Sequence, residues 1–204
     1  MRVMNKRNIY VVILYLDNLK NTNSDIRKIQ HDNAIMIVKK YASKFLKKNI
    51  ENINIIYSKS GKPFLKYNDL KFSISHSNQY VTVCFSKRNI GIDIEKVELG
   101  NEKILKKICN KKELKKINNL NMNLENLSTI IWTKKEAYIK SHDFGKRKIM
   151  KNLFNCNVFK KKSIETFKIN NYYLSICHKQ HNPLIILDFI NSSSNINEKG
   201  KAYE

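Results

Sequence analysis

Acidic residues are scarce in this chain: 17 Asp and Glu stand against 39 Lys and Arg over 204 residues, a formal net charge of +22. Such an imbalance points to an anionic partner, whether nucleic acid, a membrane surface, a phosphorylated small molecule or an acidic protein. Asn and Lys recur throughout, including on ordinary helix faces, so the charge alone selects none of these. Paired cysteines are missing too. Cys84, Cys109, Cys156 and Cys177 are widely spaced and form no C-x-x-C, which argues against a zinc site or a disulfide framework and fits a reducing compartment. The local group Cys177, His178 and His181 has no distant partner cluster. Long apolar runs are absent as well, none approaching the ~20 residues that span a membrane. The basic start followed by Ile9–Leu16 superficially resembles a signal peptide, but the run is short and β-branched and no small-residue cleavage site follows it. It reads as a buried first strand of a cytoplasmic protein with no membrane partner.

What is present suffices for a core, with 42% hydrophobic and 10% aromatic residues. After the first strand, Ser24 or Asp25 caps a helix over 26–48, its apolar stripe set by Ile29, Ala34, Ile37, Ala42, Phe45 and Leu46. A short apolar run at 53–57, the turn "SKSGKP" and strands at 72–75, 80–86 and 90–95 come next. Helices are expected over 102–120 and 125–142, then strands at 157–159, 165–169, 172–178 and 184–189. The order of elements suits two similar α+β halves side by side, 1–88 and 89–190, with a mobile tail at 191–204 that has almost nothing to bury.

Four clusters carry chemistry. In "NIGIDIEK" (89–96), a strand of period two turns Asp93 and Glu95 to one face and Ile92 and Ile94 to the other. Two readings are open: a solvated strand face, or a cation between the two anions. In "SGKPFL", Gly61 permits a tight bend and Pro63 fixes the exit, so Lys62 is held at a loop tip. In "FSISHS" a strand ends in Ser75-His76-Ser77, where His76 is a surface histidine, a cap, or a donor to phosphate. In "IIWTKKEAYIK", Trp132, Glu136 and Lys140 fall at i, i+4 and i+8 on one helix face, with Lys135 near its edge. There the plain reading is a core tryptophan with a Glu–Lys pair worth ~0.2–0.5 kcal/mol. The functional one is a third carboxylate beside a cation. Together, three carboxylates suit a hard cation, Mg²⁺ or Mn²⁺, with lysines and His76 neutralising phosphates. The competing class is a basic nucleic-acid-binding module without catalysis. It leaves the three carboxylates unexplained, and the aromatics are not interleaved with basic residues as a stacking platform needs.

These four clusters, in this order, resemble the Sfp-type 4′-phosphopantetheinyl transferase family: Gly61-Lys62-Pro63, Ser75-His76-Ser77, Gly91-Ile92-Asp93-Ile94-Glu95, and Trp132 through Lys140. The resemblance covers about residues 8–190. It implies two α+β halves related by a pseudo-twofold, with the active site in the cleft between them. The reaction it implies moves 4′-phosphopantetheine from coenzyme A to a serine of an acidic apo carrier protein of acyl, peptidyl or polyketide type. By the same resemblance Asp93, Glu95 and Glu136 hold Mg²⁺, Glu136 is the base and Lys140 stabilises the attacked phosphate. Lys62, Ser75 and His76 bind the coenzyme; nucleic acid is not a partner. Two departures stand out. Ile35 and Met36 occupy the stretch of the first helix where the family often has a basic residue, leaving Arg27, Lys28 or His31 to supply it, and Ser73 replaces the usual Asn.

Overall fold

The computed structural model describes residue 4 and residues 7–17, 23–59, 61–66, 70–98, 102–117, 120–142, 150, 164–179 and 184–192. The expected strand at 157–159 and nearly all of the expected tail lie outside them. The described elements mix strand and helix in an α+β arrangement. Strand β1 (Asn8–Tyr15) is followed by helix α1 (Asn23–Leu46), a short 3₁₀ turn at Ile50–Asn52 and a two-stranded ribbon of β2 (Ile55–Tyr57) and β3 (Pro63–Leu65). Then come β4 (Lys71–Ser77), β5 (Tyr80–Ser86) and β6 (Ile90–Lys96), helices α2 (Glu102–Ile108), α3 (Lys111–Ile117) and α4 (Leu124–His142), and strands β7 (Ile164–Ile169), β8 (Tyr172–His178) and β9 (Leu184–Asn191).

One sheet has the order β4-β5-β1-β9 and another β6-β8-β7. β1 is central, antiparallel to β5 and parallel to β9, so the last described strand returns to pair with the first. The Tyr41 hydroxyl on α1 donates to the Asp188 carboxylate on β9, which ties that edge strand to the helix. Both faces of β1 are covered, which explains its unbroken apolar run. Tyr10, Val12 and Leu14 pack with Ala34, Val38 and Ala42 of α1. Ile9, Val11 and Ile13 pack with Ile90, Ile92 and Ile94 of β6 and with Leu174 and Ile176 of β8. The opposite face of β6, that of Gly91, Asp93 and Glu95, therefore looks toward α4. There the approach is close: a Cβ on Gly91 would lie 2.0 Å from the Ala137 carbonyl oxygen and 2.5 Å from the Ser141 nitrogen. Only glycine lets the strand and the helix meet.

Two expectations needed correction. The helix read over 102–120 is two helices, because Asn110 starts a second one. Its Oδ1 accepts from the Glu113 amide at 2.9 Å while Glu113 Oε2 accepts from the Asn110 amide at 2.9 Å, a reciprocal capping box that stops α2 and opens α3. The ribbon strand β3 emerges where a turn alone was expected, since residues 63–65 pair with 55–57. Among the described residues no helix is long and apolar enough to cross a membrane.

Candidate active site

The site forms where β4, β6 and α4 meet. Asp93 is buried, at 3% exposure, and its Oδ1 accepts from the Ser75 hydroxyl at 2.9 Å and from the Lys140 ammonium at 2.7 Å. Its other oxygen, Oδ2, is buried with no hydrogen-bond partner. Burial pushes the Asp93 carboxyl above the usual range, against the pull of Lys140 and Ser75. Glu95, two residues on, accepts from the Ser77 hydroxyl at 3.2 Å. Its carboxyl is pushed up to about 7, first by burial and then by the charge of Asp93, against Ser77, Lys140 and Trp132. The pair does repel, and it does so in a poorly solvated place.

α4 supplies the opposite wall. Trp132, Glu136 and Lys140 are half-buried along one face, while Thr133, Lys135, Ala137, Ile139 and Ser141 between them are buried. The Lys140 ammonium also donates to Ser75 Oγ at 3.0 Å, so it lies where a cation would balance Asp93. Lys62 reaches the same place from the β2–β3 turn, its ammonium donating to the Lys140 main-chain carbonyl at 2.5 Å. Its turn needs Gly61, which has φ +82°. The four sequence clusters thus converge on one region, except that Ser75 and His76 face opposite sides of β4. Ser75 is buried against β6. His76 is exposed and lines a cavity of about 530 Å³ with Arg27, Gln30, Ser77 and Asn78. Its ring is held below the ordinary histidine range, first by desolvation and then by the charges of Lys140, His31 and Arg27. First-helix basic residues therefore do approach His76, from positions earlier than Ile35 and Met36.

Glu136 stands on the helix against the carboxylate strand, with its Oε1 buried. Among the described residues no three His, Cys, Asp or Glu side chains close into a metal-holding group. Asp93 and Glu95 nonetheless fit a hard cation: Asp93 Oδ2 is buried with no hydrogen-bond partner, and the Glu95 carboxyl beside it is raised by burial and then by the charge of Asp93. Sequence reasoning set Lys135 near the edge of the functional face, but it is fully buried. Its ammonium bonds Glu113 Oε2 at 2.8 Å, the Ile108 carbonyl at 2.5 Å and the Met150 carbonyl at 3.1 Å. The overlooked signal was the Asn110-x-x-Glu113 cap, which brings a carboxylate inward three residues into α3.

Comparison with known proteins places this geometry. Residues 89–186 match the family model of the 4′-phosphopantetheinyl transferase superfamily. The 4′-phosphopantetheinyl transferase gsp of Aneurinibacillus migulanus is 35% identical over 109 residues, 52% of this chain and 45% of that relative. The chain therefore matches a little under half the length of the curated relative. The family match covers a little under half of the chain and holds both the carboxylate strand β6 and helix α4, and over this segment the chain is similar to the 4′-phosphopantetheinyl transferase superfamily.

Proposed function

We propose that the chain transfers the 4′-phosphopantetheine group of coenzyme A to a serine of an apo carrier protein, as the Sfp-type enzymes do. Mg²⁺ or Mn²⁺ is the cofactor and adenosine 3′,5′-bisphosphate the leaving product. The observation that supports this most is the carboxylate pair of buried Asp93, whose Oδ2 lacks a hydrogen-bond partner, and half-buried Glu95, whose carboxyl is raised to about 7. Asp93, Glu95 and Glu136 would hold the metal, which when bound supplies charge neutralisation on the pyrophosphate. A nucleic-acid module would have no use for such a pair.

The chain's own residues do the rest. Glu136 takes the proton of the carrier serine. The serine oxygen bonds to the phosphorus that carries pantetheine, the bond from that phosphorus to the bridging pyrophosphate oxygen breaks, and its electrons leave with the bisphosphate. Lys140, already within 3.0 Å of a hydroxyl and 2.7 Å of a carboxylate oxygen, stabilises the phosphate under attack. Ser75 acts through Asp93 and Lys140, since its single proton is given to Asp93. His76 and Arg27 share the cavity and receive a phosphate of the coenzyme, with Lys62 near its ribose phosphate end. The reading includes a pseudo-twofold relation between halves 1–88 and 89–190 with the cleft between them, and an acidic carrier attracted by the +22 charge. It sets the reaction in the reducing cytoplasm, where the thiols of Cys84, Cys109 and Cys177, none of them in a disulfide, would persist.

The test is incubation with coenzyme A, Mg²⁺ and apo acyl, peptidyl and polyketide carrier proteins, reading the mass of each carrier. A gain of one phosphopantetheine group, dependent on Mg²⁺, is expected. No gain on any of the three carrier types would sink the proposal.

A further inference from the structure

The outer strand of one sheet, β4, lies beside the outer strand of the other, β6, yet the two strands belong to separate sheets. Serine hydroxyls cross between them. Ser73, Ser75 and Ser77, at every second residue of β4, accept from the amides of Ile92, Ile94 and Lys96 at 3.2, 3.3 and 3.3 Å. Residue numbers rise together on both strands, so they run in the same direction. The three hydroxyls replace a missing ladder and fix the register of one sheet edge against the other.

The three serines are not equivalent. Each hydroxyl has one proton to give. Ser75 gives it to Asp93 Oδ1 at 2.9 Å and Ser77 gives it to Glu95 Oε2 at 3.2 Å. Ser73 makes the same amide contact as the others but lies beside neither carboxylate; it faces Ile92, one turn of the pleat away from the acidic pair. The seam therefore contains its own control.

We propose that Ser77 is a positioning residue for Glu95. It is anchored to the β6 backbone by accepting from the Lys96 amide, and from that anchor it donates to Glu95 Oε2 and so sets how the carboxylate is turned. This rests on the reading of Asp93 and Glu95 as metal-holding groups. A hydrogen-bond partner that aims a ligating side chain typically matters 10–100-fold in metal affinity. A residue that only stitches the two sheets would change stability and leave the affinity alone.

The test titrates Mn²⁺ alone into the full chain, without coenzyme A, and follows free Mn²⁺ by electron paramagnetic resonance, with thermal unfolding measured in parallel. Ser77→Ala is expected to weaken Mn²⁺ binding about tenfold or more, as is typical for loss of such a partner. Ser77→Thr, which keeps the hydroxyl, should restore most of it. Ser73→Ala should lower the unfolding temperature comparably and leave Mn²⁺ affinity within about twofold. If Ser77→Ala does not fold, Ser77→Cys keeps the size, weakens the donor and carries the same expectation. Wild-type affinity in Ser77→Ala, or equal losses in the Ser73 and Ser77 variants, would overturn the positioning role while the metal reading stood. Absence of any Mn²⁺ binding by the unaltered chain would overturn the metal reading and this role with it.

Discussion

At the scale of single residues, the site is defined by charge held where water is thin. Asp93→Ala is expected to abolish transfer while the fold survives, because the variant removes one member of a repelling pair and leaves the core isoleucines of β6 in place. Circular dichroism and the carrier mass assay check the two halves of that statement, and near-normal turnover at ordinary Mg²⁺ would defeat the metal assignment. Glu95 allows a sharper measurement. Without metal, its folded carboxyl keeps its proton up to about pH 7, whereas in the unfolded chain it ionises near the ordinary value of about 4.3. Between those values the folded state binds more protons, so this group makes stability fall as pH rises through the window. His76 acts in the opposite sense: its lowered value adds stability as pH rises through the histidine range. Comparing wild type with Glu95→Gln cancels the histidine. In chelator, the variant should gain in melting temperature over wild type from pH 5 to pH 8, and Mg²⁺ should shrink that gain. A gain that is flat with pH would mean Glu95 is well solvated.

Elements set where those charges stand. Gly91→Ala would drive a methyl into main-chain atoms of α4, the Ala137 oxygen at 2.0 Å and the Ser141 nitrogen at 2.5 Å, and backbone yields less readily than a side chain. Overpacking of this kind costs about 1–3 kcal/mol, and the helix must shift away from Asp93 and Glu95. Denaturant melts and turnover together check this, with a loss of activity larger than the loss of stability implies. Lys135 holds α4 to the α2–α3 junction from inside. Lys135→Met leaves Glu113 as a buried anion and should cost about 3–5 kcal/mol, while Lys135→Met with Glu113→Leu should recover most of that. A single variant as stable as wild type would show that the pair is not coupled. The same elements show how much could be read from the residues. Period-two alternation gave the faces of β6, and unbroken apolar character gave β1, because strand geometry alone decides both. The division of α2 from α3 and the burial of Lys135 were missed, although Asn110-x-x-Glu113 has the spacing of a capping box. Asn110 looks like any other Asn in an Asn- and Lys-rich stretch until Glu113 folds back on it, and a lysine's burial depends on a carboxylate 22 positions away in sequence. Ser73 and Ser77 carried no signal of a seam because their partners are amides, which every residue has.

Over the whole molecule the governing quantity is the charge of +22. Much of it stands on α2 and α3, where Lys106, Lys107, Lys111, Lys112, Lys115 and Lys116 are all exposed. These helices join α4 through the buried Lys135–Glu113 pair, so the lysine surface is fixed relative to the helix that bears Glu136 and Lys140. Under the proposed function, an acidic carrier would be steered toward this surface before any close contact forms, and salt screens steering. The Debye length falls from ~10 Å at 0.1 M to ~3 Å at 1 M. Apparent KM for the carrier should therefore rise steeply across that range. KM for coenzyme A should rise less, since its phosphates would meet His76 and Arg27 at short range in their shared cavity, with Lys62 also close to the coenzyme. Reversal of the paired lysines at 106–107, 111–112 and 115–116 to Glu separates the two effects. It should raise the carrier KM and flatten its salt slope, leaving the coenzyme A KM within about twofold, because none of these lysines lines the cavity beside His76. Equal salt slopes for both substrates, with the reversed variant unchanged, would mean that the lysines reflect a compositional bias and play no part in docking.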